Sequence, residues 1–272
     1  MNSHGVSGKA ESYWVDGTPG TAYPAIQQEI MVDVAIIGGG IAGIMSAIFL
    51  KESGLTVAII EAKNIVKGVT GYTTAKITSL HRLIYHDLAS RFGQEKARQY
   101  ADSNQAAIDR IESIARERNI DCDFSRQPFY TYALTEESLR QVEDEVKAAQ
   151  SLGLPASFVS EIPLPFPIRG AIRFDNQAQF HPRKFLLGLA SSITGEGSFI
   201  FENSRVTDVE EGKICTIISE KGQIRARNVI VATNYPIWDK KGLYFARLYP
   251  GRSYALGIRI REQFPGGMYI DA

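Results

Sequence analysis

Cysteine is scarce in this sequence, and neither sign of charge is in excess. Its 272 residues include only Cys122 and Cys215, so they cannot build the disulfide framework of a small secreted domain. A single bond between the two stays open, whereas a CxxC metal site is excluded. Lys plus Arg and Asp plus Glu each total 30. This balance argues against a partner bound through phosphate charge, so we expect no nucleic-acid binding.

Long apolar runs are also missing. The longest uncharged stretch, residues 34–50, is slightly short for a bilayer span, and three consecutive glycines at 38–40 interrupt it. We therefore predict no transmembrane segment here, but a buried strand, a tight turn and a buried helix. The first 30 residues contain no apolar leader, which favours a cytoplasmic protein.

Residues 32–61 have the pattern of a strand–helix–strand unit. The segment 32–37 is rich in β-branched residues, and apolar residues then follow at helical spacing until Gly54, a typical helix terminator. A second buried strand over 56–60 ends at Glu61. The length is that expected for a βαβ unit.

A glycine motif at residues 38–43 joins this strand to the helix and is the main indication of function. Gly38 permits a tight turn, Gly40 lets the backbone approach a pyrophosphate, and Gly43 lets the helix pack closely on the strand. The amides of Ile41 and Ala42 would face the phosphates at the positive end of the helix dipole. The motif, with its strand and helix, predicts a dinucleotide-binding turn.

Glu61 lies about 20 residues beyond the glycines, where a carboxylate can accept hydrogen bonds from ribose hydroxyls and repel a 2′-phosphate. After Ala62 the chain runs into a Gly/Thr loop and long helices, whereas an NAD dehydrogenase would usually proceed to another βαβ crossover. An apolar strand returns only at 229–233. This layout favours FAD over NAD.

The rest of the sequence alternates between helical and strand patterns. The apolar spacing predicts helices over 81–118 with a break near Gly93, over 135–152 and over 182–193. Strands are predicted at 129–134, 171–174, 199–202, 206–209, 214–219, 223–226, 229–233, 252–261 and 268–272.

Several segments resemble FAD-dependent oxidoreductases of the D-amino-acid-oxidase and glycine-oxidase superfamily. They are the fingerprint at 34–43, Glu61 and the returning strand at 228–234, which has Asn234 where glycine is usual. The Gly/Thr loop at 68–76, the cluster at 11–14 and Phe245-Ala246-Arg247 are similar to a bacterial subgroup. In that subgroup a C-terminal Rieske iron–sulfur domain follows the flavin oxidoreductase domain.

The resemblance covers about residues 11–265 and implies a set of cofactor contacts. Val206 stands where such proteins present backbone groups to adenine, and the Gly/Thr loop runs past the pyrophosphate and the flavin. The expected FAD-binding residues are Gly38, Gly40, Ile41, Ala42, Gly43, Glu61, Ala62, Gly71, Thr73, Thr74, Val206, Ala232 and Thr233.

The resemblance also implies an α/β fold: a discontinuous Rossmann-type FAD-binding domain with an inserted α+β substrate domain, incomplete at the C-terminus. We expect an N-terminal arm over 1–30. The FAD-binding domain would comprise 31–80 and 165–235, and the helical substrate domain 81–164 and 236–272. Because the sequence contains no Rieske Cys-x-His and Cys-x-x-His pair, we expect an N-terminal portion of a longer protein, with no metal site of its own.

The sequence does not identify catalytic residues, because the cofactor supplies the difficult chemistry. Lys76 could stabilise a reduced anionic flavin, or be a solvated lysine. Arg247 or Arg252, with Tyr254 nearby, could bind a substrate carboxylate, or form surface ion pairs.

Three functions remain open at this point. The first is an FAD-dependent oxidoreductase that oxidises a small amine or amino acid by hydride transfer and passes electrons to an iron–sulfur domain. The second is an NAD-dependent dehydrogenase, and the third is a non-catalytic nucleotide-binding module.

Overall fold

The computed structural model describes residues 8–237, 242–249 and 251–272. The chain divides into two compact units. The first consists of Met1–Thr74 and Pro182–Gly257, and the second of Ala75–His181 and Ile258–Ala272. Among the residues described, no helix combines the length and apolar character that a bilayer span requires.

Within these ranges, the α-helices are α1 (Tyr13–Asp16), α2 (Ile41–Glu52), α3 (Tyr85–Phe92), α4 (Gln94–Glu117), α5 (Glu136–Ser151) and α6 (Pro182–Ala190). The strands are β1 (Ile30–Ile37), β2 (Val57–Ile60), β3 (Lys76–Ile77), β4 (Ser125–Ala133), β5 (Ala156–Val159), β6 (Gly170–Gln179), β7 (Phe199–Phe201), β8 (Val206–Glu210), β9 (Cys215–Ser219), β10 (Gly222–Val231) and β11 (Met268–Asp271).

A six-stranded sheet with the order β7-β2-β1-β10-β9-β8 forms the centre of the first unit. Strands β7, β2, β1 and β10 are parallel, whereas β9 and β8 continue the sheet as antiparallel neighbours. Strand β2 is buried along its whole length and β1 over its last four residues. Such continuous burial is typical of parallel strands that are covered on both faces.

Helix α2 packs on β1 and β2 and also contacts α6. Its buried side chains include Ile44, Ala47 and Ile48. On the other face of the sheet, Ala35, Ile37 and their neighbours pack in a separate apolar cluster. The predicted strand–helix–strand unit is therefore present.

A second sheet, with the order β11-β4-β6-β3 and with β5 paired to β6, belongs to the second unit. Helices α3 and α5 contribute Tyr85, Val142 and Val146 to its core. Gly93, at a φ of 83°, separates α3 from α4, as the sequence predicts.

The division into units differs from the predicted domains at three boundaries. Strands β3 and β6 fall in the second unit, because β6 pairs with β4 along most of its length and β3 pairs with β6. Residues 236–257, placed with the substrate domain in the sequence analysis, fall in the first unit where they are described. Long-range strand pairing decided the assignment of β3 and β6, and local patterns do not encode such pairing.

The predicted strand over 252–261 is wrong, since this segment has no regular secondary structure. Tyr254 and Leu256 are about 92% and 88% exposed. The alternating pattern is that of a strand, but no other strand pairs with the segment among the described residues. The predicted strands at 223–226 and 229–233 are replaced by one strand, β10, which ends at Val231.

Candidate functional site

The candidate site lies at the edge of the first sheet where the parallel strands end. Strands β1, β2 and β10 reach this edge at Ile37, Ile60 and Val231. In open α/β sheets, ligands bind outside the carboxyl ends of the strands.

Two glycines make the turn after β1 possible. Gly38 has a φ of 112°, and a Cβ there would lie 2.7 Å from the carbonyl oxygen of Ala232. At Gly43 a Cβ would lie only 1.9 Å from the carbonyl oxygen of Gly38. The turn is therefore compact because it has no side chains at these positions.

The N-terminus of α2 keeps free hydrogen-bond donors. The amide of Ile41 donates to Thr70 Oγ1 at 3.2 Å. For the amides of Gly40, Ala42 and Gly43, we find no acceptor within the part of the chain that the structure describes. Ala42 is exposed. Unpaired amides at a helix start, with the helix dipole behind them, form a site for an anionic group such as a pyrophosphate.

Glu61 lies beside this turn at the end of β2. Its Oε2 accepts a hydrogen bond from the backbone amide of Gly39 at 2.9 Å, and its Oε1 accepts one from the backbone amide of Lys63 at 3.0 Å. The side chain is half-buried, as is that of Ala62. A carboxylate oxygen accepts more than one hydrogen bond, so Glu61 retains capacity for hydroxyl donors of a ligand.

The returning strand reaches the same edge. The amide of Ala232 donates to the carbonyl oxygen of Ile37 at 2.8 Å. The amide nitrogen of Thr233 would lie 3.3 Å from a Cβ at Gly38, so Thr233 is next to the glycine turn. The Thr233 hydroxyl is buried and has no hydrogen-bond partner among the described residues. Val206 begins β8, two residues after Ser204, whose amide donates to the carbonyl oxygen of Glu61 at 3.0 Å.

The Gly/Thr loop joins the glycine turn through Val66, whose amide donates to the carbonyl oxygen of Gly39 at 2.8 Å. It continues in a 3-10 turn over Val69–Tyr72. Gly71 is buried, Thr73 is half-buried and Thr74 is exposed. Thr70 is not among the site residues expected from the sequence, although its hydroxyl accepts the first amide of α2. A Gly/Thr-rich loop after the second strand is the signal that could have identified it.

These residues fit a dinucleotide such as FAD. Free helix amides suit a pyrophosphate, the Glu61 carboxylate suits ribose hydroxyls, and the buried Thr233 hydroxyl has hydrogen-bonding capacity that the described residues do not use. The backbone at Gly40 leaves room for close approach, because a Cβ there would meet only Thr70 Oγ1, at 3.1 Å.

The predicted catalytic residues belong to different segments of the chain. Lys76 is an exposed residue of β3 in the second unit. Arg247 follows a short 3-10 turn, and Arg252 and Tyr254 lie in the irregular segment. All three are exposed. Their roles remain predictions.

Both cysteines are free thiols. Cys122 is buried, and burial, more than the neighbouring Asp123 and Asp121, raises the pKa of its thiol. A raised pKa disfavours a reactive thiolate. The residues described contain no cluster of His, Cys, Asp and Glu that could hold a metal ion.

Comparison with known proteins agrees with this geometry. Residues 33–270 match the family model described as FAD dependent oxidoreductase. Over 99% of its length, the chain is 36% identical to a Bacillus subtilis protein that is named as a Rieske 2Fe-2S iron-sulfur protein, and it covers 53% of that protein. It is 25% identical over 80% of its length to the gamma-glutamylputrescine oxidoreductase of Escherichia coli, of which it covers 52%.

Among solved structures, the L-amino acid deaminase of Proteus myxofaciens aligns with a TM-score of 0.64 at 20% identity. That alignment covers 82% of this chain and 49% of the deaminase, and it shows a shared fold. The chain thus spans about half the length of the proteins it matches. Because the family model covers most of the sequence and agrees with the glycine turn, this chain belongs to the family of FAD-dependent oxidoreductases.

Proposed function

We propose that the first unit binds FAD at the edge formed by the glycine turn, Glu61 and the Gly/Thr loop. The whole protein would oxidise a small amine or amino acid. The single observation that carries this proposal is the set of free amides at the start of α2 beside the Glu61 carboxylate.

Each group at this edge has a separate task. The amides of Gly40, Ala42 and Gly43 would hold the pyrophosphate, and the 3.2 Å bond from Ile41 to Thr70 fixes the first turn of the helix. Glu61 would orient the ribose and exclude a 2′-phosphate by charge repulsion. Val206, Ala232, Thr233, Gly71, Thr73 and Thr74 would line the remaining length of the cofactor.

When bound, FAD supplies the acceptor for a hydride from a carbon next to an amine. The substrate class is supported by the E. coli relative, whose name specifies an amine compound, and by the deaminase, whose name specifies L-amino acids. The family match favours FAD over the NAD alternative. Lys76, Arg247, Arg252 and Tyr254 stay candidates for substrate or flavin contacts.

The test is an absorbance spectrum of the purified protein, followed by denaturation and mass analysis of the released nucleotide. We expect flavin absorption and release of FAD. Glu61→Gln should weaken FAD binding about tenfold, because one charge-assisted hydrogen bond to a ribose hydroxyl is worth about 1.5 kcal/mol. The measurement is a titration of flavin fluorescence.

Glu210→Gln is the matched control, since Glu210 is an exposed carboxylate of the same unit on β8. It should bind FAD as tightly as the wild type. Protein that takes up NAD but not FAD would refute the proposal. Equal weakening by both variants would refute the role of Glu61.

We also propose that an iron–sulfur group receives the electrons. The support is the name of the B. subtilis relative, which matches this chain along 99% of its length. With an amine substrate, reduction of a one-electron acceptor such as ferricyanide should outpace hydrogen peroxide formation from oxygen. Faster peroxide formation would contradict this acceptor.

A further inference from the structure

Within the first unit, residues 12–19 of the N-terminal arm are bound to residues 66–74, which contain the Gly/Thr loop up to Thr74 and the two residues before it. The Ser12 hydroxyl donates to the carbonyl oxygen of Gly71. The Trp14 indole nitrogen donates to the carbonyl oxygen of Thr73 at 2.7 Å. Val15 is buried, and its Cγ2 would lie 3.1 Å from a Cβ at Gly71. The arm and the loop are therefore in direct contact.

Arg183 joins the same two segments from α6. It is about 3% exposed, and its Nε donates to Thr18 Oγ1 at 2.7 Å while Nη1 donates to the carbonyl oxygen of Val66 at 2.7 Å. Its Nη2 donates to the carbonyl oxygen of Pro19 at 3.2 Å. Burial lowers the pKa of Arg183, but a guanidinium remains charged at neutral pH. Three hydrogen bonds offset the cost of burying this charge.

These contacts fix the direction of peptide groups in the loop. A carbonyl and the amide of the following residue lie in one plane and point in opposite directions. Holding the carbonyl oxygen of Thr73 toward the arm therefore aims the amide of Thr74 away from it, whereas the amide of Tyr72 belongs to the 3-10 turn over Val69–Tyr72. Contacts with the arm thus fix the orientation of the peptide groups after Gly71 and Thr73.

We infer that the arm is a clasp that holds the Gly/Thr loop in the conformation that receives FAD. Ser12, Trp14 and Arg183 are positioning residues in this scheme, because they act through the loop. The inference rests on the proposed function, since it concerns the same cofactor site.

The test compares Trp14→Phe with Tyr13→Phe in the full chain. Phenylalanine at 14 keeps an aromatic ring but removes the indole donor, whereas Tyr13 is exposed and supplies a matched aromatic control. Two measurements are made: hydrogen exchange of the 66–74 amides without FAD, and FAD affinity by flavin fluorescence. Trp14→Phe should speed the exchange and weaken FAD binding about threefold to tenfold, the range of one hydrogen bond.

A second pair of variants addresses the hydroxyl. Ser12→Ala removes the donor to Gly71, and Ser12→Thr keeps it. Only the alanine variant should speed exchange in the loop and weaken FAD binding. Equal behaviour of the alanine and threonine variants would overturn the role of Ser12.

The outcomes separate this inference from the proposed function. If the wild type binds FAD and Trp14→Phe leaves either the exchange or the affinity unchanged, the clasp is wrong and the proposed function stands. If the wild type takes up no FAD, the proposed function is wrong, and the inferred role of the arm in FAD binding is wrong as well. Faster exchange together with weaker binding supports both.

Discussion

Helices α2 and α3 begin in opposite ways. Neither N-cap residue supplies a side-chain cap. At α3, the Glu145 carboxylate accepts the amides of Ile84 and Tyr85 at 2.7 Å each and that of His86 at 2.8 Å. Glu145 belongs to α5 and is fully buried. The start of α3 is thus closed by the protein's own carboxylate.

At α2 the corresponding place is left without a carboxylate. Thr70 serves the amide of Ile41, and Gly40 at the N-cap has no side chain. The amides of Gly40, Ala42 and Gly43 have no acceptor within the described ranges 8–237, 242–249 and 251–272. An internal carboxylate therefore satisfies the amides at one helix start, whereas its omission at the other leaves amides that can bind an anion.

The largest effect is expected at the start of α3, on the free energy of unfolding. Glu145→Ala leaves three backbone amides without an acceptor inside the second unit, which should lower the free energy of unfolding by about 3 to 5 kcal/mol. Urea denaturation measures it. Glu143→Ala, at an exposed position of the same helix, is the control and should change stability by less than about 0.5 kcal/mol. A loss below about 1 kcal/mol at Glu145 would contradict the structural assignment.

A carboxylate placed at the start of α2 should instead weaken the binding of FAD. Gly40 has a φ of −89°, which any residue adopts, so Gly40→Asp can offer its side chain to the amides of α2. We expect FAD affinity to fall about 100-fold, equivalent to about 2.7 kcal/mol, with stability changed by less than about 1 kcal/mol. Flavin fluorescence and urea denaturation measure the two quantities.

Gly40→Ala separates charge from bulk, since its Cβ would meet Thr70 Oγ1 at 3.1 Å without adding a carboxylate. It should weaken FAD binding less than the aspartate does. Unchanged affinity in Gly40→Asp would show that the anion site is elsewhere.

The smallest effect is a pH dependence of the unfolding free energy that arises from Glu145 at the start of α3. Burial raises the pKa of Glu145 above its ordinary value of 4.5, and the three amide hydrogen bonds only partly oppose this shift. The native state therefore holds the proton more tightly than the unfolded state. The resulting stabilisation is fully present below pH 4.5 and is lost as the pH rises through the raised native pKa.

Glu145→Gln removes this titration, because an amide does not ionise. As the pH rises from 4.5, the unfolding free energy of the wild type should fall relative to that of the variant. Urea denaturation across this range measures it. A wild-type advantage that grows with pH would instead mean that the pKa of Glu145 is lowered.

Much of the site could be predicted from local sequence. Glycines at 38 and 43, the helix after them and Glu61 form a pattern within 24 residues, and steric limits at the turn leave few alternatives. The Gly/Thr loop was recognised as part of the site, but Thr70 was missed. The link from Thr70 to the amide of Ile41 spans 29 positions in sequence, which a local pattern does not show.

The segment at 252–261 shows the opposite limit. Its alternation predicts a strand, yet the structure has none there, because a strand exists only when another strand satisfies its backbone groups. Strand β6 was predicted over too short a range and assigned to the other unit, because its partner β4 lies about 40 residues earlier in the chain.

The sequence by itself determined the βαβ unit, the glycine turn and the family, because these depend on short-range sterics and on residues close together in the chain. Only the tertiary structure decided that Glu145 accepts the first amides of α3 and that Thr70 accepts the first amide of α2. The same holds for the hydrogen bonds that Trp14 and Arg183 donate to residues 66–74. Each of these is a hydrogen bond between groups far apart in sequence, and such groups meet only in the packed tertiary structure.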